Sequence, residues 1–496
     1  MLLAGLDIGT TGCKITVYRP DGDYLGRIYR DYPLIRTASE HETDAALIWE
    51  SVQAVLTEAA VRWPDIAGIG VTSFGESFAL LDDNDRPLHS AMLYTDPRGE
   101  DECRKLCDAF GRDKLTYITG LTPHPMYSIS KLMWIKANHP DIYNKTKKIC
   151  FMEDYIVYML TGVRQTDYAL ATRTMAFDIR KLAWSRDILE AAGIGEDLLP
   201  VLVPAGTEAG YIKPGIADKT GLPSDTLIVS AGHDQVAAAV GSGVFDESMA
   251  VDGAGTVECI TPVFNGIPDN DRMSKNHYPI IPYVIPGKYV CYAFLFTGGA
   301  AVNWFTDNLA GYAASEATMN NTDIYTQLSG NIPLEKPTGL LVLPHFAGAA
   351  TPYMDSGSKA AIAGLTLSST QQDIFHAIME GVCFEMRLNM ERLSEAGVLF
   401  GGLRATGGGA NSRVWMQMKA DILNIPVTAL QTAEAGGLGA AMMVGVSKGI
   451  FSDLFDAAGK MVFERETFFP RPNISDEYND IYKRYLQLYT AVRPLV

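Results

Sequence analysis

An α/β fold built from two similar halves is predicted for this 496-residue chain. Three observations carry the prediction. Short apolar runs rich in β-branched residues alternate with stretches of helical periodicity, the pattern of layered α/β domains. A strand, glycine loop and strand open the sequence and return in looser form about 245 residues later. The length also suits two large domains, or three to four small ones, at roughly 100–200 residues per domain.

The elements follow in order. Leu2 to Leu6 is a short apolar strand, and Asp7-Ile8-Gly9-Thr10-Thr11-Gly12 reads as a tight turn. Cys13 to Tyr18 continues as a second strand, with a turn at Asp21-Gly22 and a third strand beyond. Ala45 to Val61 has helical spacing and stops near Trp63-Pro64. Ile66 to Val71 reads as a buried strand, and Lys131 to Ile135 lies in a helix that ends before Pro140. Thr226 to Ser230 is a strand, followed by Ala231-Gly232-His233-Asp234 and a helix from Gln235 to Val240. Ser248 to Asp252 then meets Gly253-Ala254-Gly255-Thr256 and a strand from Val257 to Thr261. Later come strands at Leu340–Leu343, Leu403–Thr406 and Pro426–Thr428, and helices at Gln372–Arg392 and Ser412–Leu423. The run from Gly436 to Ala441 predicts a small-residue helix that packs closely on a neighbour.

Composition excludes several classes. With 47% hydrophobic and 20% charged residues the chain is an ordinary globular sequence. No window approaches the roughly 18 consecutive apolar residues of a membrane span. Asp7 interrupts the first apolar run and no basic stretch precedes it, so no signal peptide is expected. Seven cysteines, odd in number and scattered, fit reduced thiols and a cytoplasmic location. A formal net charge of -17 repels phosphate backbones and acidic membranes, so neither nucleic acid nor membrane is an expected partner.

Three glycine turns, at 7–12, 253–256 and 407–411, expose backbone N–H groups of the kind that cradle phosphate oxygens. The Walker G-x-x-x-x-G-K-[ST] pattern and an early G-x-G-x-x-G are both absent, which argues against a P-loop or dinucleotide enzyme. Asp7 sits beside the first loop. By itself it reads as an Asx turn; with the other loops it reads as a carboxylate facing phosphate through Mg²⁺. Asp234 follows a strand and precedes a helix, which suits a helix N-cap and equally a base that accepts a hydroxyl proton.

These residues resemble the FGGY carbohydrate kinases, over essentially the whole chain. Leu6 to Thr11 is similar to the family's first phosphate loop, and Met126 to Trp134 to its first signature, with Ala137 departing from the usual polar residue. Ala360 to Glu380 is similar to the second signature, and Gly407-Gly408-Gly409-Ala410-Asn411 to the adenosine loop. The resemblance implies a duplicated actin-like (ribonuclease-H-like) fold with an interdomain cleft. Residues 1–245 would bind the sugar and 246–496 the nucleotide. It implies ATP and Mg²⁺, a small sugar or polyol as partner, and leaves a homodimer open.

By the same resemblance Asp234 is the catalytic base, with Gln235 beside it on the substrate, and Asp7 and Asp234 organise the metal. Thr10, Thr11, Lys14 and Thr256 are phosphate-loop positions; Gly299, Asn303, Gly408, Gly409 and Asn411 are nucleotide contacts. The acceptor segment Ser73-Phe74-Gly75-Glu76-Ser77 departs from the family: Glu76 is like the glycerol kinase acid, while Gly75 stands where an Arg precedes it. Tyr94-Thr95-Asp96-Pro97-Arg98 is like the xylulokinase Trp-Asn-Asp-x-Arg. Glu76, Ser77, Asp96 and Arg98 are therefore expected at the sugar, with Glu76 and Asp96 accepting from its hydroxyls. A pentulose such as D-xylulose is the expected acceptor, with glycerol, another polyol or an aldonate as alternatives. An actin- or Hsp70-like ATPase and a non-catalytic sugar sensor are the rivals of another class.

Overall fold

The computed structural model describes residues 1–330 and 336–496. Alternating apolar residues at the start build a meander of β1 (Leu2–Ile8), β2 (Gly12–Tyr18) and β3 (Tyr24–Asp31). Gly9 N–H donates to the Gly12 carbonyl at 2.9 Å and closes the first turn. β4 (Ile66–Ser73) and β6 (Leu227–His233) add in parallel beyond β1, and β5 (Thr207–Tyr211) closes the far edge antiparallel to β6. The first sheet thus has the order β5-β6-β4-β1-β2-β3.

The second sheet repeats the plan. β7 (Ala250–Ala254) and β8 (Glu258–Asn265) form a hairpin; β9 (Ile281–Pro282), β10 (Lys288–Val290) and β11 (Ala293–Leu295) lie on its outer side. β12 (Leu403–Thr406) and β13 (Val427–Leu430) add in parallel to β7, and β14 (Glu464–Phe468) closes antiparallel. Hairpin, two parallel strands and an antiparallel edge therefore occur in the same order in both sheets, and the glycine loops after β1 and β7 hold equivalent places. The first sheet draws on residues 2–233 and the second on 250–468.

The helices that shape the site are α1 (Ala45–Arg62), α2 (Met152–Thr161), α3 (Tyr168–Thr172), α4 (Asp234–Gly241), α5 (Gly299–Leu309), α6 (Gln371–Glu395), α7 (Arg413–Leu423) and α8 (Ala435–Ser447). α1 starts where Asp44 caps the Ala46 N–H at 2.8 Å and buries Ile48, Val52, Val55 and Leu56 on one face of the first sheet. The other face, through Leu3, Leu227 and Val229, is covered by α4 and α8 in one core. A Cβ built at Gly439 would lie 1.9 Å from the Ala237 carbonyl oxygen, so α8 reaches α4 only because its residues are small. A Cβ at Gly5 would lie 2.0 Å from the Gly437 carbonyl oxygen, so α8 also rests directly on β1. No helix among the described residues is long and apolar enough to cross a membrane.

Candidate active site

Parallel pairing sets β1, β4 and β6 in register, with Asp7 opposite Thr72 and Gly232 opposite that same Thr72. Asp7, the loop after Ser73, and Asp234 therefore emerge at one edge, the carboxyl ends of three adjacent strands. Ligands of open α/β sheets gather at such an edge. Gly232 has a φ of 89°, a conformation suited to glycine, beside a register shift that turns the chain toward Asp234.

Asp234 is the first residue of α4 and keeps 34% of its side chain exposed. Burial of its surroundings raises its pKa to about 6, against the lowering effect of hydrogen bonds from Gln235 and the charges of Arg173 and Lys14. Its Oδ1 has no hydrogen-bond partner. His233 is buried and stacks on Tyr292 with ring centroids 5.4 Å apart. Burial, helped by Arg173, pushes its pKa down to about 3, so the ring is neutral. Its Nδ1 accepts from the Gln235 N–H at 3.4 Å, which explains why it offers no proton to Asp234 at 3.3 Å.

Glu76 is buried, in a left-handed conformation with φ of 68°, and its Oε1 accepts from Arg173 Nε at 2.6 Å and from Nη2. Gly75 makes the pair possible, because a Cβ there would lie 2.8 Å from Arg173 Cγ. The Arg173 guanidinium also lies over the rings of Tyr127 and Tyr292, at 5.2 and 5.9 Å. Arg173 was missed in the sequence, although it is the only charged residue between Asp167 and Asp178. Burial of its ring raises the pKa of the partly exposed Tyr94, and the charges of Glu76 and Asp234 add to the rise.

Three expected sugar contacts sit differently. The fully buried Ser77 Oγ donates to the Met92 carbonyl at 2.7 Å. The Asp96 side chain has no exposed surface; it accepts from the His41 N–H at 2.8 Å and from Arg98 Nε at 2.9 Å. Arg98 in turn pairs with Glu42 and lies over the Trp134 ring. The buried Lys131 of the first signature donates to the Asp96 carbonyl at 3.0 Å. Ser77, Asp96 and Arg98 thus brace the loops behind the edge, and the Asp96 oxygens expected to face a sugar accept here from His41 and Arg98.

Around Asp7, Lys14 Nζ lies 3.2 Å from the Asp7 carboxylate and 2.9 Å from that of Glu434, which Arg27 also meets. Burial raises the Asp7 pKa, and the charge of Asp234 adds to the rise. Thr10 and Thr11 sit on the turn above. In the second half, Thr256, Gly299, Asn303, Gly408, Gly409 and Asn411 all line one cavity of about 920 Å³. The Gly299 N–H donates to the Gly255 carbonyl at 2.9 Å, docking α5 on the loop after β7. Arg465, also missed, holds Asn411 Oδ1 at 2.7 Å. The fully buried Lys419 of α7 pairs with both Asp252 and Glu258, one on each strand flanking that loop.

Family models match both halves: the FGGY carbohydrate kinase N-terminal domain over residues 2–241 and the C-terminal domain over 268–447. A xylulose kinase of Bacillus subtilis is 27% identical, covering 99% of this chain and 97% of its own. Glycerol kinase 2 of Saccharolobus solfataricus is 31% identical, over 99% and 97%. The crystal structure of a gluconate kinase from Lactobacillus acidophilus, 23% identical, superposes with a TM-score of 0.89 over 99% of this chain and 98% of that one. These matches run the full length and set aside the actin- and Hsp70-like reading. The chain belongs to the FGGY family of carbohydrate kinases.

Proposed function

We propose that this kinase transfers the terminal phosphoryl group of ATP to a hydroxyl of a neutral ketose, with D-xylulose or a similar pentulose as acceptor. One observation carries the choice of a neutral acceptor. Arg173 and Lys14, the cations that lower the Asp234 pKa, are already matched by carboxylates, Arg173 by Glu76 and Lys14 by Asp7 and Glu434. An aldonate would bring a further carboxylate beside a base whose neighbouring cations are already paired. The xylulose kinase relatives support the ketose. The Glu76 segment and the Saccharolobus relative favour a polyol such as glycerol as the second reading.

In this reading residues 1–245 hold the acceptor and 246–496 the nucleotide. The adenosine lies in the cavity bounded by Gly408, Gly409 and Asn411, with phosphates between the loops bearing Thr10, Thr11 and Thr256. Asp234 accepts the proton of the attacking hydroxyl, a step worth about 10²–10⁴ in rate. Its raised pKa of about 6 leaves it ionised at neutral pH yet basic enough to help. Gln235 orients the acceptor, while Arg173 fixes Glu76 beside it.

Asp7 and Asp234 fit Mg²⁺: they are hard oxygen donors at one edge, and Asp234 Oδ1 is buried without a partner. Bound there, the ion would offset charge on the phosphate oxygens. Two carboxylates do not cage an ion by themselves, and among the described residues no group of three or more His, Cys, Asp or Glu could hold one. Phosphate oxygens and water would fill the remaining positions.

An ADP-release screen over pentuloses, hexuloses, polyols and aldonates tests the acceptor. A pentulose is expected to give the highest kcat/KM, and an aldonate in first place overturns the reading. Asp234→Asn is expected to lower turnover about 10²–10⁴-fold and to keep ATP affinity; near-normal turnover removes the base.

A further inference from the structure

Behind the Asp234 turn lie two acidic side chains that the reaction does not use, Glu153 of α2 and Asp167 before α3. Both have 0% relative exposure. Glu153 Oε1 accepts from the Gly232 N–H at 3.0 Å, two residues before Asp234. Asp167 Oδ1 accepts from the Ala169 N–H at 2.7 Å and caps α3, the helix that leads directly into Arg173. Asp167 also packs on Gly232, where a Cβ would lie 3.1 Å from Oδ1.

The remaining oxygens, Glu153 Oε2 and Asp167 Oδ2, have no donor. Buried polar atoms are rarely left so. The two carboxyl groups converge on Gly232, Glu153 on its N–H and Asp167 against its Cα, and one proton shared between them would supply the donor that both remaining oxygens lack. Burial favours that proton: it raises the pKa of Asp167 to about 6 and, with the charge of Asp167 added, that of Glu153 well above the usual range. Asp154, also buried on the same helix, has its own pKa raised well above the usual range by burial.

We propose that Glu153 and Asp167 form a proton-sharing clasp that ties the Gly232 turn to the cap of α3, and so holds Asp234 and Arg173 in mutual register for the acceptor. Both are positioning residues, and the proposal rests on Asp234 as the base. One end of the clasp fixes the peptide that aims Asp234. The other fixes the helix that delivers Arg173 to Glu76. The nucleotide cavity has no part in it.

The test compares three substitutions on the full-length enzyme with its best acceptor. In Glu153→Gln the amide oxygen can still accept from Gly232 and the amide N–H can donate to Asp167. Its kcat and both KM values are expected within about twofold of the parent, because the hydrogen-bond pattern is retained. Glu153→Met fills the space without hydrogen bonds, and Glu153→Asp is too short to reach Gly232. Both are expected to lower kcat about 10–100-fold and raise the acceptor KM, the scale set by ångström misplacement of a reacting group, with the ATP KM unchanged.

Glu153→Asp or Glu153→Met with parental kinetics at a temperature where it is folded overturns the clasp. So does Glu153→Gln falling as far as Glu153→Met. If Glu153→Met does not fold, Glu153→Asp against Glu153→Gln decides. Failure of the base reading is seen separately, as near-normal turnover by Asp234→Asn, whereas failure of the clasp leaves Asp234→Asn impaired and shows only in the Glu153 series.

Discussion

Asp234 carries a pKa of about 6 because its surroundings are dry, with Gln235, Arg173 and Lys14 only partly offsetting that. A raised carboxylate is ionised above that value and protonated below it. As a base it therefore loses activity as pH falls. The logarithm of kcat/KM for the acceptor should rise with pH up to about 6 and then level; a profile flat from pH 5 to 8 would count against Asp234. The Glu76–Arg173 pair invites a second experiment. Removing one partner of a buried pair typically costs about 3–5 kcal/mol, because the other charge is left uncompensated. Arg173→Met should lower the urea midpoint and raise the acceptor KM more than the ATP KM. The double variant with Glu76→Gln should regain much of the stability, since no naked charge remains. Asp234 was readable in the sequence because a strand end and a helix start frame it. Arg173 was not, since its partner lies 97 residues away and only the folded chain brings them together. The bonds of Ser77 and Asp96 were hidden for a related reason: a motif gives residue type, but not which neighbours hold its hydrogen bonds.

At the scale of elements, the clearest signal was the glycine hairpin and its return, both present in the sheets. The small-residue stretch of α8 was also legible as a closely packed helix, while its partners were not. α8 meets α4 backbone to backbone, at Gly439 against Ala237 and at Gly241 against Ala435. Gly439→Ala adds one methyl where a carbonyl oxygen already stands. Overpacking of this kind costs about 1–3 kcal/mol. Because α4 begins with Asp234, the variant should lose turnover as well as stability; equilibrium unfolding and kcat measured on one preparation would check both. Unchanged values would mean the helices part without cost. The loop after β7 shows the opposite kind of support: Lys419 clamps its two strands by charge, from a helix more than 150 residues further along the chain. No spacing rule in the sequence links those three residues.

Across the whole molecule, two sheets of matching topology place their glycine loops at equivalent edges. Asp7, Glu76 and Asp234 gather at the edge of the first sheet, and the large cavity lies on the second. The duplication was legible because local hairpins repeat; the way the halves interlock was not, because it depends on one late helix. α8 comes from residues 435–447 yet covers the face of the first sheet that carries Leu3, Leu227 and Val229. During synthesis, that face must therefore wait for nearly the whole chain to leave the ribosome. A gene cut at the midpoint would yield a first half with an open oily side, so the two halves are bound to be inherited and exchanged together.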